Sequence, residues 1–259
     1  AKQLKDTEKR EKYRIYGELI NTYGYDVPQG SKSFQALNYY TGEEITIPLD
    51  PQIPVQENAT KYFDKYGKLK RTFEAVTALL KETDEEIQHL RSIQTALDIA
   101  LQEEDLTQIR EELMESGYIR KRPSGSKRPK ITSKPFHYIS SDGFHMYVGK
   151  NNYQNDMLTF KTATGNDWWF HVKQAPGSHV IVQCNNEEPP IRTFEEAASL
   201  AAHFSQKASS DKVEIDYTQK KNVKKPNGSK PGFVVYYTNY SMVVSPDIDG
   251  IEEVHYEEK

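Results

Sequence analysis

ENATKYFDKYGKLKRTFEAVTALLKETDEEIQHLRSIQTALDIALQ, residues Glu57 to Gln102, contains no proline and a single glycine, Gly67. Tyr62, Tyr66, Leu69, Phe73, Val76, Leu80, Thr83, Ile87, Leu90, Gln94, Leu97 and Leu101 recur at alternating spacings of four and three, and only Thr83 and Gln94 in that row are polar. Such a row forms one continuous stripe on a helix, so about five heptads predict a coiled coil. At about 1.5 Å per residue the helix reaches roughly 65–70 Å.

Upstream, Ala1 to Tyr23 has no proline and only Gly17, with Leu4, Ile15, Tyr16, Leu19 and Tyr23 as an apolar face. It reads as a helix that starts without an N-cap, so we expect a piece of a longer chain. It covers roughly half the length of the long helix at the same rise per residue. The seam therefore needs a further partner: upstream residues, the next helix or a second chain. Between the two helices, Phe34 to Tyr40 and Glu44 to Ile47 alternate around Thr41-Gly42 as a hairpin would. Asp105 is the expected cap of a short helix through Leu106, Ile109 and Leu113, ended by Gly117. Lys121 to Lys130 is basic, rich in Pro, Gly and Ser, and free of acids, which marks a linker and a domain boundary over 121–134.

Residues 135–246 alternate short strands and helices and predict a compact α+β domain. Strands are expected over Phe136 to Ile139, Phe144 to Val148, Trp168 to Val172, His179 to Gln183, Val213 to Tyr217, Phe233 to Tyr237 and Met242 to Ser245. Helices are expected over Gln154 to Ala163 and, capped by Thr193 with Glu196 completing a capping box, on to Gln206. Residues 247–259 form an acidic tail. The fold class is thus α+β, with long antiparallel coiled-coil helices and a small β-hairpin over 1–120, then this domain.

Composition agrees with an elongated chain. Of 259 residues, 36% are apolar and 28% charged, and the mean hydropathy is −0.80. That is polar for one globule of this size. No apolar run is long enough to span a membrane, and no signal peptide is visible. The lone Cys184 excludes an internal disulfide and fits a reducing compartment. The net charge of −4 conceals an asymmetry. Residues 1–120 hold 16 Lys and Arg against 22 Asp and Glu, whereas 121–259 hold 18 against 16, six of those acids in the tail. Without the tail the second half is basic, as a partner of polyanions would be.

The sharpest charge feature is Tyr217 to Gly232, YTQKKNVKKPNGSKPG. Lys220, Lys221, Lys224, Lys225 and Lys230 crowd there with no acid between them, while Pro226, Gly228, Pro231 and Gly232 forbid a helix. A polyanion would relieve the repulsion. A solvated loop is the alternative. In Asp167 to His179, Trp168, Phe170 and Val172 share one strand face, and Trp169, His171 and Lys173 share the other. The second face could stack a base and hold a phosphate, or be a core Trp with a rim Lys. Pro176-Gly177-Ser178 offers backbone N–H groups to an anion. Lys150, Asn151, Asn152 and Asn155 place donors at a helix start, for an anion or for capping alone. His171, His179 and Cys184 lack zinc spacing, and Ser178 and His179 point apart in a strand, so neither a metal site nor a nucleophile is expected. The chain is expected to be no enzyme and to need no cofactor.

In order and spacing, Ser141-Asp-Gly-Phe, Val148-Gly-Lys-Asn-Asn with Gln154-Asn-Asp156, Trp169-Phe-His with Pro176-Gly-Ser-His-Val180, and Asp216-Tyr-Thr with Val223-Lys-Lys-Pro to Gly232 resemble the NFACT-R domain. Tyr13 to Leu19, Asn38-Tyr-Tyr40, Ile47 to Pro51 and Asn58 to Phe63 resemble the coiled-coil and middle region of the same NFACT family, in its bacterial RqcH-type branch related to eukaryotic NEMF. That resemblance implies a cytoplasmic ribosome quality control role. Members bind the obstructed large subunit, with its rRNA and tRNA, and alanine is added to the nascent C-terminus without mRNA. The family's tRNA-recruiting N-terminal Asp-Arg pair has no counterpart here, so this chain by itself is not expected to support tailing. Many bacterial members carry a fibronectin-binding label, which leaves a surface adhesin as the alternative.

Overall fold

The computed structural model describes residues 9–123 and 125–256. The chain divides into two compact units, Ala1–Glu86 and Ile87–Lys259. The expected start of the first helix at Ala1 lies outside the described residues.

In the first unit, α1 (Arg10–Tyr23) leads to the hairpin β1 (Ser33–Asn38) and β2 (Glu43–Pro48), paired in register from Ser33↔Pro48 to Asn38↔Glu43. The long helix α2 (Val55–Ile99) follows. Tyr16, Leu19 and Ile20 of α1, Ala36 and Ile47 of the hairpin, and Ala59 of α2 form one buried cluster. The Arg10 guanidinium lies 3.9 Å from the Phe73 ring centre, and Tyr13 stacks on Tyr62. The first helix thus runs antiparallel to the start of α2. It has 14 residues against 45, so it covers only part of the stripe. Further along, Leu79, Leu80, Ile87, Leu90 and Leu97 are exposed.

The second unit is built on a seven-stranded sheet with every pairing antiparallel and the order β10-β7-β5-β6-β4-β3-β11. Its strands are β3 (Phe136–Ile139), β4 (His145–Val148), β5 (Trp168–Val172), β6 (Val180–Val182), β7 (Val213–Gln219), β10 (Tyr240–Val244) and β11 (Glu252–Glu253); β8 (Val223–Lys224) and β9 (Val235–Tyr236) pair separately. Helix α3 (Glu103–Glu115) precedes the sheet, α4 (Asn152–Met157) continues into a π turn over Leu158–Thr162, and α5 is Ile191–His203.

Alternation along β5 sends its side chains to two different cores. Trp168, Phe170 and Val172 pack with Phe194, Ala197 and Ala201 of α5. The small alanines let the helix lie close to the sheet. On the opposite face Trp169 and Ile181 pack with Leu158, Ala163 and Val223. Both sheet faces are therefore covered at the centre.

Several expectations are corrected. Asp105 sits at the third helical position of α3 and completes a capping box with Gln102 as the cap. Thr193 lies inside α5, whose cap is Pro190; its hydroxyl donates to Asp142 Oδ2 (2.8 Å) and lies within hydrogen-bond distance of Ser140 Oγ (3.0 Å). Glu196 accepts from the Ser141 backbone N–H at 2.9 Å instead of closing a box. The helix expected to Ala163 turns to π geometry at Leu158. The acidic tail contributes β11, which pairs with β3. By compactness, the end of α2, α3 and the basic stretch Lys121–Lys130 group with the second unit. Among the described residues no helix is long and apolar enough to cross a membrane.

Candidate nucleic-acid interface

The lysine-rich stretch is a structured hairpin. After β7 a 3-10 turn, Lys220–Asn222, leads into β8, which pairs with β9 through Val223↔Tyr236 and Lys224↔Val235. Val223 is buried and roots the hairpin in the core under Trp169. Asp156 at the end of α4 fastens the loop beyond β8. It pairs with the Lys225 ammonium and accepts the Gly232 backbone N–H at 3.1 Å.

The five lysines therefore divide by role. Lys225 is spent on Asp156, and its charge holds the loop's shape. Lys220 lies over the Phe160 ring at 5.8 Å and Lys230 over the Tyr118 ring at 5.5 Å. Lys221 and Lys224 are exposed. Among the described residues Lys220, Lys221, Lys224 and Lys230 form no ion pair. Four cations without counter-charges are thus held on a rigid hairpin, an arrangement suited to phosphates. Phe233 (49% exposed), Tyr237 (85%) and Tyr240 (61%) stand close in sequence to these lysines. They offer rings on which bases can stack. Sequence reasoning passed over them, although the alternation Val234 and Tyr236 inward against Phe233 and Tyr237 outward was the available signal.

Gly232 and Gly228 shape the loop differently. Both have positive φ, +76° and +75°. A Cβ on Gly232 would lie 2.5 Å from Asn152 Oδ1, whereas one on Gly228 meets nothing. We expect Gly228→Ala to cost about 1 kcal/mol from backbone strain alone, and Gly232→Ala about 2–3 kcal/mol. Thermal melts of the two variants measure the difference, and equal costs would remove the role given to the Asn152 contact. Neither variant alters the loop's charge. Pro226 anchors a turn that receives the Ser229 backbone N–H at 3.2 Å.

The Trp169 face is not the open platform the alternation left possible. Trp169 is fully buried, with its ring centre 5.6 Å from His171, 5.2 Å from His179 and 5.0 Å from Tyr236. No face of the indole is free for a base. Burial pushes the His171 imidazole down to about 4 and His179 well below its ordinary value. Both are neutral at physiological pH and supply no cation. Lys173, on the same strand face, is paired with Glu214 at 2.6 Å, and that hydrogen bond raises its pKa.

Pro176-Gly177-Ser178 is also committed elsewhere. The Ser178 N–H donates to the Phe204 carbonyl at 2.9 Å, and the Pro176 carbonyl accepts from Gln206 N–H at 3.0 Å. Ser178 Oγ donates to the Gly149 carbonyl at 2.6 Å, and Gly177 forms a bridge with Ser205. No anion nest is left.

The donors after β4 form a clasp. Partly buried Lys150 pairs with buried Asp105 of α3 at 3.2 Å. Asn151 caps α4 by accepting from the Gln154 N–H (3.0 Å) and donates to Gln108 (2.9 Å). Asn152 donates to Ser92 and to Glu112, each at 2.8 Å. Asn155 accepts from the His179 N–H at 3.0 Å and donates to the Gly177 carbonyl at 3.4 Å. Capping and docking, not anion binding, account for Lys150, Asn151 and Asn155. Among the described residues no group of three or more His, Cys, Asp or Glu is placed to hold a metal ion.

Comparison with known proteins places this geometry in a family. The profile for NFACT N-terminal and middle domains matches residues 1–132, and that for the NFACT protein RNA binding domain matches residues 134–237. The chain is similar to "Rqc2 homolog RqcH" of Streptococcus suis (strain 05ZYH33), 42% identical over 255 residues, covering 97% of this chain and 45% of the relative. Its similarity to the protein of the same name from Bacillus subtilis (strain 168) is 40% over 254 residues, 96% of this chain and 44% of the relative. The chain thus spans about half the length of the curated relatives it matches. Among solved structures it resembles the C-terminal part of the fibronectin/fibrinogen-binding protein from Streptococcus suis. The TM-score is 0.74 at 37% identity, over 96% of this chain and 85% of that one. The profiles meet at the basic linker, and together they identify the chain as a member of the NFACT family.

Proposed function

We propose that the chain is the RNA-facing part of a ribosome quality control factor. In this reading it holds to a large ribosomal subunit obstructed by a nascent chain, contacts rRNA and tRNA, and supports alanine tailing carried out with further parts of the factor. Its work is binding rather than catalysis, and its place is the cytoplasm. The observation that carries the reading is the hairpin bearing Lys220, Lys221, Lys224 and Lys230 without counter-ions, in the domain matched by the RNA binding profile.

RNA affinity of Lys220→Glu/Lys221→Glu/Lys224→Glu, read by anisotropy, tests it. At about 50 mM salt the loss is expected to be on the order of 100-fold, and the slope of log K against log salt to shrink by about 2. Unchanged affinity at low salt would remove the hairpin from the interface.

The solved relative from Streptococcus suis is named for fibronectin and fibrinogen binding, which favours a second reading as a surface adhesin. Binding to immobilised fibronectin that RNA does not compete away, with surface labelling of intact cells, supports that reading. Loss of the binding on adding RNA reduces it to charge attraction.

A further inference from the structure

At one end of the sheet, beside the first lysines of the hairpin, two turns enclose a polar cup of about 330 Å³. Thr164, Asn166 and Asp167 of the turn entering β5 form one wall; Gln183, Asn185 and Asn186 of the turn leaving β6 form the other. This is near the lower end of the roughly 300–1,000 Å³ range of ligand sites.

Three observations set the cup apart from an ordinary surface dent. First, among the described residues the side-chain amides of Asn166, Gln183, Asn185 and Asn186 make no hydrogen bond within the chain. Each carries both donors and an acceptor. Second, Asn185 and Asn186 are consecutive left-handed residues, with φ of 47° and 68°. Asparagine is the side-chain residue best tolerated there, so the turn itself sets two amides side by side at the rim. Third, the cup is rigid and tied to the lysine turn. Buried Asp167 accepts the Cys184 N–H at 2.9 Å and the Thr164 N–H at 2.7 Å. The Lys220 N–H donates to the Asp167 carbonyl at 2.8 Å, and the Lys221 N–H to the Gly165 carbonyl at 3.2 Å.

We propose that the cup takes one unstacked RNA base, read by these amides, while the adjoining phosphates lie on Lys220 and Lys221. The proposal rests on the RNA-binding reading above and gives it a base-reading element. Amides match the mixed donor and acceptor edges of bases, which RNA presents where they are splayed from the stack. Glu187 and Glu188 follow Asn186 in the chain, and their charge disfavours a backbone path on that rim. The phosphates are thereby directed to the lysine side.

The test uses the 259-residue chain and labelled uridine-rich RNAs that vary at one central position among A, C, G and U. The wild type is expected to separate the best from the worst base by about 5-fold or more, and Asn185→Gly/Asn186→Gly to bring all four within about 2-fold. Glycine keeps the left-handed turn, so this double variant should melt no lower than the wild type. Lys220→Glu/Lys221→Glu should weaken all four RNAs by a common factor and keep the preference. Equal binding of the four by the wild type, or an unchanged preference in the glycine variant, overturns the cup alone. No binding of any of the RNAs overturns both the cup and the RNA-binding reading.

Discussion

Asp105→Ala is expected to destabilise the second unit by about 3–5 kcal/mol, the usual cost of removing one partner of a buried ion pair. Asp105 and Lys150 are 1% and 12% exposed at the side chain. The carboxylate also accepts from Ser133 Oγ at 2.6 Å and from the N–H groups of Leu101 (3.2 Å) and Gln102 (3.3 Å). Truncation therefore strands an ammonium, a hydroxyl and a helix start together. A melting point about 10 °C lower is expected for a unit of this size. Asp105→Ala/Lys150→Met, which removes the stranded ammonium from its place 4.4 Å over the Phe136 ring centre and leaves an apolar side chain there, should recover part of the loss. A single variant that melts like the wild type would show that the clasp contributes little to holding α3 against the sheet.

Trp169→Ala is the second large effect, also about 3–5 kcal/mol, from lost burial and the cavity left behind. Its indole is fully buried among His171, His179 and Tyr236. Trp169 Nε1 is buried without a hydrogen-bond partner among the described residues. Trp169→Phe therefore gives up area but no hydrogen bond, and should cost only about 1–2 kcal/mol. It also separates core from interface. With the fold intact, Trp169→Phe should bind RNA as the wild type does; a large loss of affinity at unchanged stability would return Trp169 to the interface.

These two residues show where sequence reading ends. The heptad row was legible because each position constrains its neighbours along one helix. What covers the row was not, since α1 reaches only its first part. The period of two in β5 placed Trp168, Phe170 and Val172 on one face and Trp169 on the other, as observed. It carried no information on the covering layer, which comes from Leu158 and from Val223, far apart in the chain. The donors Lys150, Asn151 and Asn155 were legible as donors. Their acceptors lie as much as 45 residues away in sequence, as Asp105 does from Lys150, and no local pattern names such a partner. The same holds for Lys225, whose partner Asp156 lies on α4. The lysine stretch itself was legible as a charge cluster, while its division into one structural and four unpaired lysines required the fold. The two-residue strand β11 was too short to leave a signal in the acidic tail.

In the proposed function the unpaired lysines of the hairpin face ribosomal RNA. Co-sedimentation of the chain with purified large ribosomal subunits, at low and at moderate salt, tests it most directly. The wild type is expected to pellet with the subunits at low salt and to be released as salt rises, whereas Lys220→Glu/Lys221→Glu/Lys224→Glu is expected to stay in the supernatant at both. Equal pelleting of the wild type and the triple variant at low salt would contradict it.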